Sequence, residues 1–202
     1  KTSFFSPHCV RKNNPMTRDE AYQLVTDWTK NTNLVKHMLA VEEIMRALAK
    51  HFGEDEEMWG RAGLLHDADY EMFKDDPKKH PSKIFEELEK RNVDERIINA
   101  IKSHAWGWRE DLPEPQTKME WSLYCCDDLS GFIIACALVR PDKKLESVTV
   151  ESILKKWPQK SFAAGVKREH VELCADKLGI PLEEFAKIAL SAVQSIHNEI
   201  GL

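Results

Sequence analysis

The sequence predicts an all-α protein, a helical bundle with extra helices at its C-terminal end. Three observations predict it. Apolar residues recur at i, i+4, i+7 spacing. Capping residues precede these runs, and glycine or proline follows them. The one alternating stretch, around Val148-Thr149-Val150, is too short to argue a sheet. With 202 residues, 42% apolar and 31% charged, the chain suits one globular domain.

The elements follow in order. Thr17 and Glu20 make a capping-box pattern that opens a helix from Thr17 to Lys30. Asn33 caps a second helix that runs to Phe52 and ends at Gly53. Its core-facing stripe is Leu34, Met38, Val41, Met45, Leu48 and Phe52. A third helix runs from about Asp55 to the doublet His66-Asp67, and Asp69 to Lys79 is a polar connection containing Pro77. Pro81 sits well at the start of a fourth, to about Arg91. Asp94 to His104 forms a fifth. Ala105 to Pro115 is a loop carrying Trp106 and Trp108. Thr117 to Val139 is the long central helix, ended by Pro141; Thr149 to Trp157, Arg168 to Leu178 and Leu182 to Ile200 complete the set.

Residues 1–15 have no periodicity and no cap. They read as a poorly ordered leader or extension, so His8 and Cys9 are set aside. Residues 16–202 read as a single domain, with its functional core at about 33–137 and a helical tail at 145–202.

Composition narrows the function classes. A net charge of −5 gives no general attraction to nucleic acid or anionic membrane. The longest purely apolar stretch is far below the ~18 residues of a membrane span. The five cysteines, Cys9, Cys125, Cys126, Cys136 and Cys174, contain no CxxC pair. That favours a reducing compartment, thiols used as small hydrophobes and a cytoplasmic protein.

His66-Asp67 closes the apolar run Ala62-Gly63-Leu64-Leu65. An imidazole and a carboxylate side by side on a buried segment are costly unless paired or metal-bound. His37, His80, His104 and Asp127 stand before and after the doublet. Taken singly, His37 and His104 on their apolar faces read as core histidines more readily than as ligands, and His80 as a solvated residue before a helix. Asp127 shares a face with Leu123, Ser130, Gly131 and Ile134 on a helix apolar on most sides, so a carboxylate there must be paired or ligating. Asp128 is the neighbouring alternative. Imidazole and carboxylate without thiolate suit Fe, Mn, Co, Ni, Zn or Mg.

The ordered set His37, His66-Asp67, His80, His104, Asp127 resembles the HD superfamily of metal-dependent phosphohydrolases, over roughly Asn33 to Ala137. Cys126-Asp127-Asp128-Leu129 is similar to that family's pattern around its last ligand, which favours Asp127 over Asp128. The segment resembles the small stand-alone predicted HD hydrolases of bacteria. Leu65-His66-Asp67-Ala68-Asp69-Tyr70 departs from members with Ile-Gly after the doublet, and His104 is followed by Ala105 with no Gly-Tyr-Pro motif. The cyclic-dinucleotide subgroup is thereby disfavoured. The resemblance implies an HD-domain bundle with one or two divalent transition-metal ions. His80 and His104 between doublet and last ligand imply two, with Asp67 as bridge. Two ions among four neutral imidazoles and two carboxylates leave a surplus positive charge that suits an anionic substrate.

The implied reaction is hydrolysis of a phosphoester, in a small phosphorylated molecule or nucleotide, by a metal-activated water. Asp67 or Asp69 would orient the nucleophile. Among the cations after the core (Lys155, Lys156, Lys160, Lys167 and Arg168), Lys156, Lys160 and Arg168 are the candidate substrate contacts, with a solvated basic face as the plainer alternative. Nucleic-acid or membrane binding is not expected, and the oligomeric state stays open. Two other functions remain: a di-iron oxygenase on the same fold, and a non-catalytic metal-binding regulatory module.

Overall fold

The computed structural model describes residues 16–202, so the leader with His8 and Cys9 lies outside the described residues. The helices are α1 (Arg18–Trp28), α2 (Thr32–Phe52), α3 (Glu56–Leu65), α4 (Ser82–Lys90), α5 (Glu95–His104), α6 (Lys118–Leu138), α7 (Val150–Lys156), α8 (Arg168–Leu173), α9 (Leu182–Ser195) and α10 (His197–Ile200). No strand occurs among the described residues, so the all-α expectation holds.

Side-chain caps set most starts. Thr17 and Thr149 form capping boxes, while Asp55, Asp94 and Thr117 accept from backbone N–H groups of α3, α5 and α6. The second helix starts earlier than expected: Asn31, not Asn33, is its cap, and its side chain accepts from the Asn33 N–H. Two regions depart from straight helix. Beyond α8 the backbone widens into a π-turn at Cys174–Leu178, ended by Gly179 in the left-handed region. The last helix is interrupted at Ile196, which separates α9 from α10.

α6 is the axis of the bundle. It is apolar almost all round, and α2, α5, α8 and α9 pack against it. By length and composition α6 could cross a bilayer, but 67% of its apolar stretch is buried within the fold, as in a core helix. Fully buried Phe132 on α6 and Phe185 on α9 bring the tail onto this core, each contributing about 1.5–3 kcal/mol. Cys125, Cys126, Cys136 and Cys174 are buried too. Burial pushes the Cys136 and Cys174 thiols up to about 11, so they behave as packing groups.

α3 lies close against α2 at Gly63. A Cβ there would stand 2.8 Å from the Val41 carbonyl oxygen and 3.0 Å from the Glu42 Cα, both backbone atoms. This glycine lets the helix that ends in His66 approach the helix that carries His37. The Glu42 carboxylate is buried at the same level. It accepts two bonds of 3.0 Å from Arg18 and one of 3.1 Å from Arg46, which ties α1 to α2 and satisfies the charge.

Candidate metal centre

Five segments converge on one point. α2 supplies His37, the end of α3 and the turn after it supply His66 and Asp67, the turn before α4 supplies His80, α5 ends on His104, and α6 supplies Asp127. They form two trios, His37–His66–Asp127 and Asp67–His80–His104. In the first, Asp127 Oδ1 is 3.0 Å from His37 Nε2 and 3.5 Å from His66 Nε2. In the second, Asp67 Oδ1 is 3.1 Å from His80 Nε2 and 3.6 Å from His104 Nε2. The other Asp67 oxygen, Oδ2, faces the first trio, 3.7 Å from His37 and 3.6 Å from His66. Asp67 stands between the two groups with one oxygen toward each.

The second nitrogen of each imidazole is anchored. His66 Nδ1–H donates to the Gly63 carbonyl at 2.7 Å and His104 Nδ1–H to the Ile101 carbonyl at 2.5 Å. His80 Nδ1–H donates to Asp69 Oδ1 at 2.6 Å. The Ser130 hydroxyl gives its proton to the Asp127 carbonyl, so it accepts from His37 Nδ1–H at 2.9 Å. All four rings are therefore held in the tautomer that leaves Nε2 as a lone pair facing the centre. Those lone pairs nearly meet: Nε2 to Nε2 is 3.2 Å for His37–His66 and 3.1 Å for His80–His104. Four lone pairs and two carboxylates pointed at one another repel unless a cation lies among them. The donor set fits divalent metal with mixed nitrogen and oxygen ligands.

Without metal, protons take the cation's part. Burial alone would lower the His66 pKa, but the Asp67 charge and the bond to Asp127 raise it to about 9. His80 reaches about 9 likewise, burial being outweighed by Asp67 and Asp69. Burial dominates at His104 and holds it below the ordinary value. Burial also pushes Asp67 upward, but the His66 charge and the His104 and His80 bonds hold it well below the usual carboxylate range. Metal uptake near neutral pH is therefore expected to release protons, read by calorimetry in two buffers of different ionisation enthalpy. Buffer-independent heats would contradict this. The two raised values also set a pH window. Their stabilisation of the metal-free fold is complete below pH 6.5 and lost as pH rises through about 9. The Tm of the metal-free protein should fall across that window.

Asp69 does not face the centre. It is fully buried, with Oδ1 on His80 and Oδ2 accepting from the N–H groups of Lys83 (2.8 Å) and Ile84 (3.0 Å) in the first turn of α4. Both oxygens are taken up by these bonds, and the contact of Asp69 with the centre runs through His80. Asp69→Asn keeps the shape but weakens the grip on His80 Nδ1–H. It should cost about 10–100-fold in metal affinity or activity, with the Asp67–His80–His104 half emptied first, as read by metal titration.

Asp127 is 30% exposed on its side chain and lies at the rim of a cleft, not in the core position that its helix face suggests. Asp128 belongs to neither trio and lines the cleft beside them. It accepts from the Lys167 N–H at 3.0 Å and pairs with His170 Nδ1 at 3.3 Å, fastening the tail beside the centre.

The cleft over the centre is lined by Asp67, His80, His104 and Asp127 together with Tyr70, Trp108, Tyr124, Lys167 and His170. Its volume is about 80 Å³. Of the tail cations, Lys167 reaches it, and the three candidate substrate contacts do not line it. Arg168 is spent on structure. Its guanidinium donates to the carbonyls of Trp157 (2.7 Å), Gln159 (3.1 Å) and Phe162 (2.6 Å), holding the 157–166 loop closed. Lys156 Nζ lies 4.3 Å from the Phe162 ring centre. Lys160 lines a separate cavity beyond Lys167. Lys167 belongs to the cation cluster read in the sequence but not to its three candidate contacts, and His170 was not read at all; only the folding of the tail back onto α6 brings them here.

These features define a class of protein, a helical domain built around a paired histidine–aspartate centre. Residues 34–131 match the family model described as the HD domain, and the chain carries an HD domain there. Ribonuclease Y of Lawsonia intracellularis (strain PHE/MN1-00) is 29% identical over 140 residues, 69% of this chain and 24% of that protein. The chain thus spans about a quarter of the length of that curated relative. Among solved structures, the HD domain of the L. monocytogenes phosphodiesterase PgpH superposes with a TM-score of 0.56 at 15% identity. The match covers 90% of this chain and 99% of that one, a likeness of fold.

Proposed function

We propose that the protein is a two-metal phosphohydrolase acting on a phosphoester of a small molecule or nucleotide. The observation that carries this is Asp67, whose two oxygens face two different trios of anchored ligands. When bound, the ions would activate a water and neutralise charge on the phosphoryl oxygens. The chain's own groups do the rest. The four Nδ1–H anchors hold the ligands without reorganisation. Lys167 in the cleft wall supplies a cation for an anionic substrate. The narrowness of the cleft limits bulk water around the reacting group. The names of the similar proteins, a ribonuclease and a phosphodiesterase, agree with phosphoester chemistry.

Elemental analysis of gently purified protein, followed by an anaerobic screen for phosphate release with that metal restored, tests the reading. Metal-dependent phosphate release is the expected result. Oxygen uptake coupled to substrate loss, with no phosphate released, would assign the centre to oxygenase chemistry instead.

A further inference from the structure

In an in-line displacement at phosphorus the entering and leaving oxygens lie on opposite sides. An acid for the leaving oxygen therefore has to stand on a wall of the cleft other than the one that carries the ligands. The tail supplies such a wall, with Gly165, Lys167 and His170.

Outside the two trios, the cleft side chains that carry an N–H or O–H proton are Tyr70, Trp108, Tyr124, Lys167 and His170. Burial pushes the Tyr124 phenol well up, so it keeps its proton. Phenols, indoles and ammonium groups give up a proton poorly near neutral pH, whereas an imidazolium gives it up readily. Lys167 Nζ stands 4.9 Å from the Trp108 ring centre, a setting that suits a fixed charge. His170 is left.

His170 is held in one orientation. Its Nδ1 is 3.3 Å from Asp128 Oδ2. The other Asp128 oxygen accepts the Lys167 N–H, so this carboxylate is itself fixed to the start of α8. Tyr124, one turn before Asp128 on α6, covers a face of the ring, with 4.6 Å between centres and 32° between planes. The Nε2 edge has no hydrogen-bond partner among the described residues. Nor is it one of the buried atoms that lack a partner, which are Ser122 Oγ and Arg140 Nε. Nε2 is therefore open, and the space that His170 borders is the cleft, not the cavities on either side. A carboxylate at one ring nitrogen and an open N–H at the other is the arrangement in which an imidazole hands a proton to a substrate. A staple between tail and bundle would not need the open nitrogen.

We infer that His170 is the acid of the reaction and protonates the leaving-group oxygen. This rests on the phosphohydrolase reading above. A water oxygen bonds to phosphorus as the bond from phosphorus to the leaving oxygen breaks. The electron pair of that bond goes to the leaving oxygen, and the His170 Nε2 proton joins it there. The water gives up one proton to solvent and the ring takes one back, so the protons balance.

The leaving group is the probe. Substituted phenyl phosphates, from 4-methoxyphenyl to 4-nitrophenyl, need the acid to different degrees, because 4-nitrophenolate leaves without a proton. They are run as monoesters and as methyl diesters, on protein with its native metal restored. His170→Asn, or His170→Gln should the first not fold, keeps a polar group beside Asp128. Its kcat/KM should fall about 100-fold or more on the 4-methoxyphenyl ester and less than about tenfold on the 4-nitrophenyl ester. Its metal content and Tm should match those of wild type. An equal fall across the series, or none, overturns the inference and leaves the hydrolase reading standing. Loss of metal from the variant would make His170 a support of the centre and overturns it too. If wild type with its metal bound cleaves none of the series, the hydrolase reading fails and the acid role falls with it.

Discussion

Replacing Asp67 by alanine is expected to abolish phosphate release and to leave neither half of the centre properly filled. Each trio keeps its histidines in this variant, but the oxygen facing each of them is gone. The second trio loses its one carboxylate, so two imidazoles remain there for a cation. The first keeps Asp127 and two imidazoles and should retain a weakened site. Loss of an orienting group behind a ligand costs about 10–100-fold; loss of the shared ligand should cost more, taking activity below about a thousandth of wild type. The fold should survive, because Asp67 lies at the end of α3 and outside the packed apolar core. Metal content and phosphate release, on protein free of contaminating phosphatase, check this together. Wild-type turnover in Asp67→Ala would rule the two-metal mechanism out.

The second large effect is expected at Gly63, where no chemistry occurs. An alanine Cβ would press on the Val41 and Glu42 backbone, and backbone cannot swing away as a side chain can. Overpacking of this kind costs about 1–3 kcal/mol. In a chain of this size that lowers Tm by roughly 2–4 °C per kcal/mol. The same displacement moves the Gly63 carbonyl that anchors His66 Nδ1–H at 2.7 Å. Gly63→Ala should therefore lose metal affinity as well as stability. A variant with lowered Tm and undisturbed metal binding would show that the α2–α3 approach does not position His66.

The bundle and the ligand set are legible in the sequence for the same reason. Most ligands stand in segments whose burial is locally encoded: His37 in the stripe of α2, the doublet after Leu64-Leu65, His104 after Ile97 and Ile101; His80 follows a polar connection and is found by its order alone. Polar groups in such places need partners, and their order along the chain supplies the rest. What the sequence hides is what depends on distant segments. Asp69 reads as a polar loop residue until α4 brings two backbone N–H groups onto its second oxygen. Arg168 reads as a free cation at a helix start until the 157–166 loop wraps its guanidinium in carbonyls. Lys167, one residue earlier, is the cation that the tail delivers to the cleft. Asp127 is misjudged in degree: a helical wheel cannot show that its face opens onto a cleft instead of a packed neighbour.

The central claim is that one carboxylate, Asp67, joins two metal sites. Anomalous scattering from crystals grown with the native metal tests it most directly. The account predicts two ions, one among His37, His66 and Asp127, the other between His80 and His104, with Asp67 touching both. A single fully occupied ion, with His80 and His104 turned away from it, would contradict it.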